Sequence, residues 1–336
     1  MTRHRRAAIL LLALAVIWGL PAQGQAAPVT IRLSTGAPEQ HFLTQQYAEW
    51  ARLVEKNSKG ELRVQLYHSA QLFRDNEVAK AIGTGAIEAG CAYAMYLENQ
   101  LVPAMKIFQM PFFFRSSSEI LAVMRSDTGA AMRRTAEQKG VKLLGMIVFP
   151  SPEDTIVMAS KPIKVRDDIK GMVIRAVSPE SSAIIKKWGA GPSFLTGAEV
   201  YMGLQRGTIH GAVNSITTYV ERKLYEVAPH VVFLPVISVH TFIAMNKGVF
   251  DRLSPAQQKA ILDATATIEG GTEAAAQRAF QHDMDEAKRK AKLLYQPTPA
   301  EMAVWREGSE ALWGELSKSH KEVGEVLKSA SALLKR

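Results

Sequence analysis

Val29-Thr30-Ile31-Arg32-Leu33-Ser34 and, one helix later, Leu62-Arg63-Val64-Gln65-Leu66 decide the fold of this 336-residue chain. Both alternate apolar and polar residues, as a half-buried strand does. Between them Leu43, Tyr47, Trp50 and Val54 recur at helical spacing. Gly36 and Pro38 break the first strand, and Lys59-Gly60 ends the helix. The order then repeats: a helix around 76–82, a stop at Gly85 and a strand over 87–93. A β-α-β-α-β run marks an α/β domain. Ser116 with Glu119 predicts a capping box for one further helix, closed by Gly140 before the apolar strand Val141–Val148.

Pro150-Ser151-Pro152 is stiff and extended, because each proline restricts itself and the residue before it. It suits a crossing between domains. A second α/β domain follows from about residue 153. Its strands are Thr155–Ala159 and 172–176, with two helices before Ala212, the second capped by Thr196 and Glu199. The stretch 231–245 is strand-like and broken by Pro235. Ser254-Pro255 then opens a helix expected to reach about 294, with Gly270 and Gly271 as weak points. Such a helix is far longer than the usual ~11 residues and can brace two lobes.

Arg3, Arg5 and Arg6 precede an apolar run over 7–20 and the small residues Gly24, Ala26 and Ala27. That is the pattern of a secretory signal, with cleavage after Ala26 or Ala27. An apolar run of about 14 residues is too short to span a bilayer, for which ~20 are needed. The expected product is a soluble periplasmic protein, not embedded in the membrane. Removing the signal takes away three of the 41 Lys and Arg and none of the 32 acids, leaving a net charge of +6. The excess is modest, and bases and acids interleave, as over 283–292, so a nucleic-acid partner is not indicated. Cys91 is the only cysteine, which excludes an intramolecular disulfide and a Cys-based zinc site. No metalloprotease, nucleophile-elbow, phosphate-loop or dinucleotide pattern occurs. The chain is therefore read as a non-enzyme without cofactor or metal.

An ordered series of segments carries a resemblance. It runs through Val54-Glu55-Lys56-Asn57-Ser58-Lys59-Gly60, Ser69-Ala70-Gln71-Leu72 and Met110-Pro111-Phe112-Phe113-Phe114. It continues with Asp168-Ile169-Lys170-Gly171-Met172-Val173-Ile174-Arg175, Glu199-Val200-Tyr201-Met202-Gly203-Leu204-Gln205-Arg206-Gly207 and His210-Gly211-Ala212-Val213-Asn214. Over 31–259 the chain resembles the solute-binding proteins of tripartite ATP-independent periplasmic (TRAP) transporters, the C4-dicarboxylate-binding type. The resemblance implies a two-lobe periplasmic binding fold, in which two α/β domains joined by crossing strands and a long bracing helix close over an organic acid. The lobes would be 28–152 with about 241–280, and 153–240 with about 281–336. It also implies membrane subunits of such a transporter as partners.

By that resemblance Arg175 pairs with the ligand carboxylate, a role suited to a planar cation that meets both oxygens at once; the alternative is a structural salt bridge. Asn214 assists, or instead caps a helix beginning at Ser215. His240 matches a histidine near the cleft, or is a core histidine bonded to backbone. Tyr93 and Tyr96 stand where some members carry polar contacts and would offer apolar surface with a hydroxyl. His41 follows the first strand, within reach of the cleft or in a solvated loop. Two departures bear on the ligand. Thr155 stands where some members have a second arginine, and Gly197 where many have an aromatic residue. Without a second cation a monocarboxylate fits better than a dicarboxylate. Thr155 and Ser178 would then take a hydroxyl or keto oxygen of an aromatic, 2-oxo or 2-hydroxy acid. A periplasmic enzyme acting on an organic acid, and a sensory receptor, are the alternatives.

Overall fold

The computed structural model describes residues 27–149 and 155–336. The expected signal and the Pro150-Ser151-Pro152 crossing lie outside them. Among the described residues no helix is long and apolar enough to cross a membrane. The strands are β1 (Val29–Ser34), β2 (Leu62–Tyr67), β3 (Ala89–Tyr93), β4 (Val141–Val148), β5 (Thr155–Ala159), β6 (Val173–Ala176), β7 (Gly191–Phe194), β8 (Gly211–Ser215), β9 (His230–Phe233), β10 (His240–Asn246) and β11 (Leu293–Tyr295).

They form two sheets, one per lobe. The first has the order β2-β1-β3-β10-β4 and the second β11-β9-β5-β8-β6-β7. In the first, β1 runs parallel to β2 and β3, and β10 enters antiparallel between β3 and β4. In the second, β6 is parallel to β7 and β8, while β5 is antiparallel to β8 and β9. Gly211 is required at the start of β8, because a Cβ there would lie 2.6 Å from the Met158 carbonyl oxygen of β5.

The chain changes sheet between β4 and β5 and returns between β9 and β10. The two passages bond to each other: Leu234 N–H donates to Thr155 O at 3.0 Å, and the Thr155 hydroxyl donates to Ile237 O at 3.1 Å. The long helix Pro255–Lys290, capped by Ser254, then spans both lobes. Its Trp50 partner donates Nε1–H to Thr265 Oγ1 at 2.9 Å in the first lobe. Ala276 is buried in the first-lobe core, and Ala287 in the second. Gly270 and Gly271 do not interrupt it.

Several local expectations differ from the structure. The helix before β4 is two helices, Ser117–Arg125 and Asp127–Gln138, divided at Ser126. The short strand β7 lies where only helices were expected. Thr196 does not cap the helix Val200–Gln205; its N–H and hydroxyl instead donate to Glu199, which occupies the cap position. The long helix stops at Lys290, so that 293–295 can pair with β9 as an edge strand. The last helix, Lys321–Leu333, was grouped with the second lobe, but Val323, Val326 and Ala330 are buried in the first-lobe core. An amphipathic helix goes where its apolar stripe finds a partner, which its position in the sequence does not reveal.

Candidate functional site

The parallel strands of both sheets end at one cavity, the place where open α/β sheets hold ligands. From the first lobe come Ala37 and His41 after β1, Asp75, and Tyr93 with Tyr96 at the end of β3. From the second come Arg175, Asn214, Thr218 and Arg222, and the crossings add Phe149, Ile237 and Val239. The space is about 110 Å³, well above the ~10–15 Å³ that one water requires.

Arg175 lies in β6 opposite Ala212 of β8 and Ser193 of β7. Its Nε–H donates to Leu195 O and its Nη1–H to Val213 O, each at 3.0 Å. No salt bridge to it is formed among the described residues, so the alternative read from sequence is not realised. Two of the five guanidinium N–H groups are thus spent on carbonyls that fix its plane, and the rest remain for a ligand. Burial lowers its pKa to about 10, with Tyr96 raising and Arg222 lowering it; at neutral pH it stays charged. Buried as it is, such a cation is costly unless an anion answers it.

Asn214 belongs to β8, and the cap of the helix Ile216–Glu221 is Ser215, whose hydroxyl accepts from Thr218 N–H. The Asn214 carbonyl accepts from Ser215 N–H at 3.0 Å, and its buried amide nitrogen has no hydrogen-bond partner. A buried donor left unmatched is expensive, and in a binding site it marks where an acceptor belongs.

Tyr93 and Tyr96 stand edge to face at 6.1 Å. His41 caps the helix Phe42–Asn57, its Nδ1 accepting from Leu43 N–H at 3.1 Å, which leaves Nε2 as the proton-bearing atom. That atom lies 3.4 Å from Glu221 Oε2 of the other lobe. Burial and then Arg222 push the His41 pKa down to about 3, so the imidazole is neutral at this contact and the two form no ion pair. Burial pushes Glu221 up to about 7, Asp283 adding to it and Arg222 and the Phe42 N–H opposing it.

Three residues expected at the site are elsewhere. His240 is buried in β10 against Phe108, ring centroids 4.6 Å apart, with neither ring nitrogen hydrogen-bonded; burial lowers its pKa to about 3. It is a neutral core residue. The Thr155 hydroxyl is spent on the crossing, as above. Ser178 caps the helix Pro179–Lys187, accepting from Ser181 N–H at 3.2 Å. None of the three lines the cavity.

Two charged residues were missed. Asp75 is the first residue of the helix Asp75–Thr84 and accepts from Gly36 N–H at 2.8 Å. Arg222 supplies the second cation whose absence had been inferred from Thr155. Ser215, Thr218 and Arg222 are spaced i, i+3, i+7 after Asn214, so the helical period already places them on one face. A Cβ at Gly197 would lie 3.7 Å from an Arg222 Nη atom, so an aromatic residue there would press on this guanidinium. Among the described residues no group of three or more His, Cys, Asp or Glu is placed to hold a metal ion.

Two α/β lobes, tied by paired crossings and a long helix around a cavity that both line, define a two-lobe solute-binding protein. The family model described as bacterial extracellular solute-binding protein, family 7, matches residues 33–319, and the chain belongs to that family. It is 27% identical over 240 residues to a solute-binding protein of Verminephrobacter eiseniae, covering 71% of each chain. It is 25% identical over 305 residues to the C4-dicarboxylate-binding periplasmic protein DctP of Rhodobacter capsulatus, covering 88% of each. Among solved structures it resembles DctP7 of Bordetella pertussis, an extracytoplasmic solute receptor binding pyroglutamic acid, with a TM-score of 0.83 and 22% identity over 90% of this chain and 99% of that one.

Proposed function

We propose that this chain is the periplasmic receptor of a TRAP-type transporter, that it holds a small organic acid bearing a single carboxylate, and that it delivers this acid to the membrane subunits. The observation that carries the proposal is the pairing of Arg175 with the unpartnered Asn214 amide on neighbouring strands of one buried cavity. Together they offer a charged fork and a neutral donor, which suits both oxygens of a carboxylate. The named relatives bind small acids too, C4 dicarboxylates in one case and pyroglutamic acid in the other. The single carboxylate is supported by charge. The described lining carries Arg175, Arg222 and Asp75, a net of one positive charge, which one carboxylate neutralises. Tyr93 and Tyr96 supply the part-apolar wall against which the rest of the acid packs.

Ligand contacts from both lobes favour the closed arrangement by their differential affinity, and closure presents the docking surface. Thermal melting of the mature protein against mono- and dicarboxylic acids, aliphatic and aromatic, tests the proposal, because a ligand of the folded state raises the melting temperature. Stabilisation by monocarboxylates is expected. Stabilisation only by succinate-like acids would refute the single carboxylate, and no stabilisation by any acid would refute the receptor.

A further inference from the structure

Asp75 is an acid inside a cavity built for an acid, and the carboxylate clamp does not use it. It is part-buried, at the start of a ten-residue helix. One oxygen is occupied by the Gly36 N–H. That contact requires glycine, since a Cβ at position 36 would lie 2.5 Å from the Asp75 carboxylate. Burial raises its pKa, opposed by the Gly36 N–H and then by the field of Arg222, which favour the ionised form, as does a helix N-terminus. Its charge also bears on Tyr93 and Tyr96, so it sits close to the aromatic wall. Asp75 comes from the first lobe, and Arg175 and Asn214 from the second. An acid clamped by the second lobe therefore meets, on the first-lobe side, an oxygen that can only accept.

We infer that Asp75 selects monocarboxylates whose body carries an N–H or O–H toward the first lobe, and rejects isosteres that present a lone pair there. The inference rests on the carboxylate-receptor reading above and narrows its ligand class to lactam acids, hydroxy acids and their like. The donor completes the hydrogen bonding of a buried acceptor. A keto or ester oxygen in the same place leaves two acceptors facing each other, out of water. Sites built around a hydrogen bond discriminate far more sharply than sites built around shape.

The test is calorimetric titration of the full mature protein with matched pairs. These are pyroglutamate against the lactone acid that replaces its ring N–H by oxygen, and phenyllactate against phenylpyruvate. In at least one pair the donor-bearing member is expected to bind about tenfold more tightly or better. Asp75→Asn keeps a carbonyl for Gly36 N–H and turns an amide donor toward the ligand, so the preference should shrink or reverse. Equal affinity within every pair that binds would overturn the role of Asp75 and leave the carboxylate clamp standing. An unchanged preference in Asp75→Asn would do the same. If that variant fails to fold, the wild-type pairs alone still decide. Binding of no acid in any pair would overturn the clamp and this inference together.

Discussion

The two walls of the cavity are built differently. The second-lobe wall holds its proposed carboxylate clamp on sheet, with Arg222 at the end of a short helix beside it: Arg175 is in β6, locked by the carbonyls of Leu195 and Val213, and Asn214 is in β8. The first-lobe wall is assembled from helix starts and strand ends, namely His41, Asp75, Tyr93 and Tyr96. A clamp fixed by strand pairing is suited to a group that every ligand of the class shares. A wall of loop and cap residues can change from one chain to the next without disturbing a sheet, and so suits discrimination. On the proposed reading, affinity comes from one wall and the choice of acid from the other.

The severest way to break it is Arg175→Met, which keeps apolar volume and removes the cation. Binding of a monocarboxylate should fall by roughly 10²–10⁴-fold, the consequence of losing about 3–5 kcal/mol from a buried charge pair. Calorimetry would measure it, with circular dichroism confirming the fold; an affinity within a few-fold of wild type would remove Arg175 from the clamp. Asn214→Leu should cost less, about tenfold, as one neutral hydrogen bond is lost, and the loss should be the same for every acid tried. An acid-dependent loss would place discrimination on the wrong wall.

Third in size is a pH effect where the walls meet. Glu221 is raised to about 7 when buried against His41 and the Phe42 N–H, with Asp283 and Arg222 also facing it. If opening the cleft returns it to water and its ordinary value near 4.5, closure takes up a proton. The contribution favours the closed, binding form fully below about 4.5 and is lost as pH rises through about 7. Affinity should therefore be several-fold higher at about pH 5.5 than at about pH 8, and Glu221→Gln should flatten the profile. His41, with a pKa of about 3, stays neutral throughout this window. A slope of the opposite sign would show that the two lobes do not close over this carboxyl. The smallest expected effect is that of Tyr96→Phe, a few-fold change that differs among acids according to whether they reach its hydroxyl. A uniform change, seen in titrations across the acid panel, would make the tyrosine mere packing.

Legibility followed the same division. Arg175 and Asn214 were readable because the segments ending in them keep their order along the chain, and β6 and β8 are short strands whose ends are set by local pattern. Asp75 and Arg222 were not singled out, because neither belongs to a segment that carries the resemblance or to a recognisable motif. His240, Thr155 and Ser178 have the right chemistry for a ligand, but their groups are absorbed by the core, a crossing and a cap.

What the sequence determined by itself is the alternation of strand and helix, two α/β domains and a bracing helix, because periodicity and capping act over a few residues; the class of solute receptor came from the resemblance carried by the ordered series of segments. Only the tertiary structure decided which charges share the cavity. Asp75 and Arg222 are 147 positions apart and on different lobes, and they share one cavity because the paired crossings set the lobes against each other. Likewise the final helix chose the first lobe because its apolar face fits there. Local pattern specifies an element's type; what surrounds it is decided by packing between elements distant in the chain.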